Sequence, residues 1–258
     1  MRRRTALALS GTALAGLAGC ASRQNDATDG PLDTGTDGSG SLSVGLDALQ
    51  PAAVKLFVDA YEFEATDDSQ YLFLNGADAR GSDCRFRFDG SEYEPGAKTS
   101  YDLVRAPSTF GPPTESDDWV VFDLPETGGA EEAALVCPDG EWRPDAALRD
   151  RLAAPLPSLQ VAFDGPSSVP AGDRPRFTVT VSNESDTDAR FLGIFRRSYG
   201  ALGTGQLVSR PVEAGSTVTL DATGGAAEAP TPGSGRGNSL TYRLLWPGGR
   251  DTTTLAVE

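Results

Sequence analysis

PAGDRPRFTVTVSNESDTDARF, residues 170–191, is the stretch that decides the fold. Phe177, Val179 and Val181 alternate with Arg176, Thr178, Thr180 and Ser182, the period-two pattern of a strand with one buried face. Ala171-Gly172-Asp173 before it and Asn183-Glu184-Ser185 after it are turn sequences. Working outward, the same character recurs at 159–163, 190–196, 205–209, 216–220, 239–245 and 252–257, with a further turn at Pro247-Gly248-Gly249. Seven short strands in about 100 residues, separated by turns, predict a β-sandwich over 155–258.

The same stretch resembles the opening of immunoglobulin-like modules of the CARDB kind, in which an alternating strand ends in a V-x-N turn and leads into the next strand. Phe177, Val179, Val181 and Asn183 carry the resemblance, which extends over roughly residues 159–258. It implies an immunoglobulin-like sandwich. This region contains no cysteine, so it departs from antibody-type domains.

Upstream, Pro155 and Pro157 break the chain and mark a domain boundary. The segment before it, 44–154, is also β-rich. Strands are predicted from Val54 through Phe63, from Gln70 to Leu74, and at Cys84-Arg85-Phe86-Arg87-Phe88, where apolar and charged residues alternate. Others are expected at 99–104, 119–124 and 132–137. Pro144-Asp145 followed by Leu148 and Leu152, four apart, predicts a short amphipathic helix that ends this domain and packs one edge on a sheet. The fold class is therefore mainly β, with two β-rich domains, the second an immunoglobulin-like sandwich, and one short helix closing the first.

The N-terminus reads as an address. Arg2, Arg3 and Arg4, an apolar run from Thr5 to Gly19, and a small-residue site have the three parts of a secretory signal over 1–19. The run is too short to span a hydrocarbon core of about 30 Å. Leu17-Ala18-Gly19-Cys20 resembles the lipobox of lipoprotein precursors, which implies cleavage before Cys20 and lipidation of its thiol. Arg3-Arg4 resembles a twin-arginine export signal. One acyl chain holds a protein to a membrane only marginally, so a stable anchor implies more than one chain or a long ether lipid. Residues 20–43, rich in Asp, Gly, Ser and Thr, are expected to be a flexible, disordered tether. Twelve residues counted from Asp33 end at Val44, where an EF-hand loop requires Glu, so that calcium motif is absent.

The formal charge is −15 over 258 residues, and loss of the three signal arginines takes it to −18. Lys55 and Lys98 are the only lysines, and there is no histidine. Such a composition resembles a haloarchaeal proteome and suits a solvated surface in high salt. A phosphate backbone rewards clustered Lys and Arg, so no nucleic-acid partner is expected. With Cys20 lipidated, Cys84 and Cys137 have one intramolecular pairing, expected to form outside the cytosol if the fold brings them together. The alternatives are two buried free thiols or a redox pair, the latter lacking Cys-x-x-Cys spacing.

The absence of histidine removes Ser-His-Asp and Cys-His mechanisms and His-ligated zinc. Carboxylate clusters at Asp67-Asp68, Asp117-Asp118 and Asp186 with Asp188 read as solvated loops, with loop-tip Ca²⁺ ligation as the alternative. No catalytic residue, cofactor or metal set is assigned. Asn183-Glu184-Ser185 is a glycosylation sequon on a predicted turn, and Asn183 equally suits that turn on conformational grounds. Trp119, Trp142 and Trp246 read as core residues, with a ligand platform as the alternative. The functional expectation is a non-enzymatic, lipid-anchored protein on the outer face of the cell membrane. Its sandwich would bind or space, with a surface protein or glycan as partner. The alternatives are a carboxylate-dependent extracellular hydrolase in the first domain and an accessory subunit of a membrane-surface complex.

Overall fold

A computed structural model of the chain describes residues 42–57, 60–65, 68–76, 83–96, 103–113, 119–198, 205–228 and 238–258. The signal, Cys20 and the tether up to residue 41 lie outside the described residues. Packing begins earlier than the expected end of the tether at Ser43, because Leu42 is already buried in the first core.

The N-terminal half contributes β1 (Gly45–Gln50), β2 (Ala53–Phe57), β3 (Ala60–Glu64), β4 (Ser69–Asn75), β5 (Arg85–Phe88) and β6 (Ser91–Tyr93). They are followed by β7 (Leu103–Val104), β8 (Trp119–Pro125), β9 (Ala134–Cys137), β10 (Gly140–Trp142) and α1 (Ala146–Ala153). Three sheets result, in the orders β1-β4-β8, β3-β2-β7 and β10-β9-β5-β6. The apolar run expected to form one element from Val54 to Phe63 is instead a hairpin, with Phe57 opposite Ala60. Folding back sets Val54 beside Phe63 in one apolar cluster, which a single extended strand would not do.

The near-continuous apolar run of β4 is explained by burial of its sheet on both faces. Leu72, Leu74, Phe122 and Leu124 point into a core with Phe86, Phe88, Leu135 and Trp142. Tyr71, Phe73, Trp119 and Val121 point the other way, into a second cluster with Ala48 and Ala53. The predicted helix is present. Asp145 caps it, its Oδ1 accepting from the Leu148 N–H at 2.7 Å, while Leu148 and Leu152 enter the first core. The wholly buried Gln70 fastens the far end of α1 to the sheet, its Nε2 donating to the carbonyls of Leu152 and Pro125, each at 2.9 Å.

After the extended link through Pro155 and Pro157 come β11 (Leu159–Asp164), β12 (Ser168–Val169), β13 (Arg176–Asn183) and β14 (Ala189–Arg197). The last four are β15 (Gln206–Val212), β16 (Thr217–Thr223), β17 (Ser239–Trp246) and β18 (Gly249–Val257). All seven predicted strands are there, with β12 in addition. Two sheets, β11-β13-β16 and β12-β18-β17-β14-β15, enclose one core. In immunoglobulin lettering these are A-B-E and A′-G-F-C-C′, which makes the C-terminal half an immunoglobulin-like β-sandwich. An antibody domain ties its B and F strands with a disulfide. Here Phe177 on β13 and Tyr242 on β17 meet instead, ring centroids 4.7 Å apart, with Phe163 and Phe195 completing the aromatic centre.

The two halves share an apolar layer. The outward faces of β14 and β15 present Leu192, Ile194 and Leu207, which pack with Ala52, Val54, Tyr61 and Ala106 of the N-terminal half. The sandwich sheet is thus buried on both faces where β14 and β15 run.

Candidate functional site

Of the residues singled out in the sequence, Cys84 and Cys137 are brought together as a disulfide, with Cα atoms 4.2 Å apart. The strand register explains this. Arg85 pairs with Val136 across β5 and β9, so the next pair toward the strand ends is Cys84 and Cys137. The bridge closes the central strand pair of its sheet covalently and removes both thiols from any nucleophilic role.

Asn183 is placed differently from the expected glycosylation site. It is 1% exposed, and its Nδ2 donates to the carbonyls of Thr187 at 2.8 Å, Val212 at 3.0 Å and Glu213 at 3.3 Å. Its Oδ1 accepts from the N–H and hydroxyl of Ser185. In the folded chain this amide nitrogen is enclosed by three carbonyls, the arrangement that the conformational reading calls for. Asn183 locks the turn between β13 and β14 onto the end of β15.

Of the acidic clusters, Asp68, Asp186 and Asp188 are described. Asp67, Asp117 and Asp118 lie outside the described residues. Asp68 sits at φ 68°, and its carbonyl accepts from the Glu126 N–H at 2.7 Å. Asp188 Oδ1 accepts from the Ala214 N–H at 2.8 Å, and Asp186 Oδ1 from the Thr187 hydroxyl at 3.3 Å. Among the described residues, no three His, Cys, Asp or Glu side chains gather to hold a metal. Trp119 and Trp142 are buried in the cores, and Trp246 packs on the sandwich core against Gly249.

The sequence did not point to the polar cleft where the halves meet. It is lined by Asp47, Ala48 and Gln50 of β1, Phe73 of β4, Val104, Arg105 and Ala106, and by Arg190 of β14 and Ser209 of β15. Asp47, Gln50 and Ser209 are buried, although most polar side chains stay in water. Each is engaged. Asp47 Oδ1 accepts from Arg105 Nη2 at 2.8 Å. Gln50 Nε2 donates to the Ala52 carbonyl at 2.7 Å. Arg190 Nη1 donates to the Ser209 hydroxyl at 3.0 Å, and that hydroxyl faces Gln50 Oε1 at 3.5 Å. The open space is about 20 Å³, enough to seat a water beside these groups. Glycoside hydrolysis by a carboxylate pair calls for two convergent carboxylates; the lining of this cleft carries one, Asp47, held by Arg105. Chemically the arrangement is a polar seal that fixes how the halves meet. The sequence signal was Asp47 and Gln50 flanking Ala48 and Leu49 of β1, but Arg105 and Ser209, which they meet across the cleft, lie far along the chain.

One carboxylate elsewhere is perturbed. Asp123 on β8 has its pKa raised, first by desolvation and then by the nearby Glu64 carboxylate, with a hydrogen bond from Ser69 opposing. Arg151 is pulled below the usual arginine value by burial, against the fields of Glu126 and Asp188.

No family model and no curated protein matches the chain. Among solved structures it is similar to the CARDB domain of a Pyrococcus furiosus protein in complex with di-metal ions. Identity is 12% and the TM-score 0.31, over 40% of this chain and 90% of that one. It is also similar to the alkylpurine DNA glycosylase AlkC of Pseudomonas fluorescens bound to DNA containing an abasic site analog. Here identity is 12% and the TM-score 0.29, over 39% of this chain and 30% of that one.

Proposed function

We propose that this chain is a non-enzymatic, lipid-anchored surface protein whose immunoglobulin-like sandwich serves as a binding or spacing module. The observation that carries the reading is Leu17-Ala18-Gly19-Cys20 at the end of the apolar run that follows Arg2, Arg3 and Arg4. In this reading Cys20 bears the lipid, the Arg3-Arg4 signal directs export, and the acidic tether holds the folded part off the membrane. The Cys84–Cys137 disulfide supports it, because such bridges persist in oxidising compartments. So does the formal charge of −15, which suits an exposed surface in high salt.

The test is the mature protein recovered from its own membranes. Intact mass is expected to correspond to a chain starting at Cys20 plus lipid, and Cys20→Ser is expected to release the protein from the membrane fraction. A mature N-terminus elsewhere, or a Cys20→Ser protein that remains membrane-bound, overturns the reading.

A further inference from the structure

The face that the sandwich turns to the N-terminal half continues past the shared apolar layer, and there its character reverses. Leu192 and Ile194 of β14 lie in that layer, with Leu245 of β17 packed against it. Two residues beyond Ile194, Arg196 stands on the same face of β14. Arg243 is directly opposite it on β17, and Thr252 follows on β18. In the neighbouring row Arg250 is opposite Leu245, which sets it diagonal to Arg243. The register therefore groups three guanidinium side chains, with Arg196 and Arg243 about 5 Å apart at Cβ and Arg250 roughly 7 to 8 Å from Arg243. Arg243, Arg250, Thr252 and Thr254 are exposed, and Arg196 and Thr241 are half-buried.

No acid offsets them. The chain has 37 Asp and Glu residues, yet none occupies a position on this face of β14, β15, β17 or β18. Asp251, between Arg250 and Thr252 in sequence, falls on the other face by alternation, and its Oδ1 accepts from the Thr252 N–H at 2.6 Å. Among the described residues none of the three arginines has an ion-pair or hydrogen-bond partner. Like charges directly opposite each other across a strand pair work against the sheet. An anion seated between Arg196 and Arg243 relieves that repulsion and takes charge-assisted hydrogen bonds from both.

We propose that this face of β14, β17 and β18 binds a carboxylate-bearing polysaccharide. The proposal gives a ligand to the binding module of the reading above and rests on that reading for its surface location, not for its lipid. Each guanidinium presents a fork of N–H donors that fits a carboxylate bidentately, and the spacing lets acid groups on nearby rings of one polymer engage different arginines. Thr241, Thr252 and Thr254 border them with hydroxyls, Thr241 and Thr254 bonded to each other at 3.0 Å, a lining suited to sugar hydroxyls. A peptide draws much of its affinity from a strand edge or an apolar groove, whereas both edges of β17 are taken by β14 and β18. A lipid surface is held by inserted apolar side chains, and the one large exposed apolar residue among the described residues, Phe57, belongs to β2. The formal charge of −15 repels an anionic polymer elsewhere and so confines it to this face.

The test uses the mature chain carrying Cys20→Ser, so that no lipid contributes and a wrong anchor leaves the outcome unaffected. Calorimetric titration with polygalacturonate is expected to show binding that weakens as salt is added, and titration with neutral dextran of the same length to show none. Arg196→Gln, Arg243→Gln and Arg250→Gln are each expected to weaken binding by about two- to fivefold, the size of one exposed charge pair, and the triple change to remove it. Arg243→Lys, which keeps the charge and loses the fork, should fall between the parent and Arg243→Gln. Arg176→Gln takes the same charge from the outer face of the other sheet and should leave binding unchanged. The melting temperature of Arg243→Gln should equal or exceed the parent's, since the cross-strand repulsion is gone, so that lost binding is not lost fold. Polygalacturonate that fails to bind, or that binds the triple variant as well as Arg176→Gln, overturns the proposal. So does equal or tighter binding to poly-aspartate or to phosphatidylglycerol vesicles, which would make the occupant a peptide or a lipid surface.

Discussion

Asn183 shows how one side chain can decide between two readings of the same tripeptide. As a sequon it should face solvent; as found, it donates three hydrogen bonds inside the pole of the sandwich. Asn183→Ala leaves the Thr187, Val212 and Glu213 carbonyls without this donor, and urea unfolding is expected to show a loss of about 2 to 4 kcal/mol. If the chain is exported already folded, as the proposed function has it, the amide is never presented to a glycosylating enzyme and the recovered protein should have the mass of an unglycosylated chain. Asp123 gives a second residue-scale expectation. Although Asp123 is exposed, its folded pKa lies above the usual carboxylate value because partial desolvation and Glu64 disfavour the charged form, against the Ser69 hydrogen bond. The folded state therefore binds more protons than the unfolded one, and Asp123 costs stability as pH rises through its folded pKa. Asp123→Asn is expected to raise the melting temperature at neutral pH, with the gain fading as pH falls below the carboxylate range. A gain that persists undiminished at low pH would sink this account.

At the scale of elements, legibility followed locality. The helix could be read because Asp145, Leu148 and Leu152 carry its cap and its buried edge within one stretch. The sandwich strands could be read because Thr, Ser and Arg alternate with Phe, Val and Leu on β13 and β17. β1 carries no local strand signal, because Gly45 and Asp47 are poor strand formers and polar Gln50 ends it. Asp47 and Gln50 are held by Arg105 and by the region of Ser209, contacts no local pattern encodes. The hairpin of β2 and β3 looks like one strand in the sequence for a related reason. Its apolar residues run through the reversal, and only the cluster across the junction makes folding back worthwhile. Phe191-Leu192-Gly193-Ile194-Phe195 did hold a legible sign of that junction, since an unbroken apolar run in a strand means two buried faces. The disulfide between β5 and β9 yields the prediction proper to this scale. Its cysteines are 53 residues apart in sequence, and losing that closed loop through Cys84→Ser with Cys137→Ser is expected to cost about 4 kcal/mol on chain-entropy grounds. Denaturant midpoints of the two proteins check this, and a thiol titration of the unreduced mature parent should find no reactivity from this pair.

At the scale of the molecule, the shared layer of Leu192, Ile194 and Leu207 with Ala52, Val54 and Tyr61 couples the halves. Calorimetry is expected to give one transition whose calorimetric and van't Hoff enthalpies agree. Ile194→Ala, which opens a void in that layer, should lower stability by about 3 kcal/mol. Two separated transitions in the parent protein would show that the layer does not couple them. A practical consequence follows for anyone who trims the chain at Pro155 to obtain the sandwich alone. The fragment would bare Leu192, Ile194, Leu207 and Leu245 on one face, which promotes self-association. A ligand screen on that fragment would report the stickiness of a cut surface, and capture reagents raised against it would recognise a face the intact protein conceals.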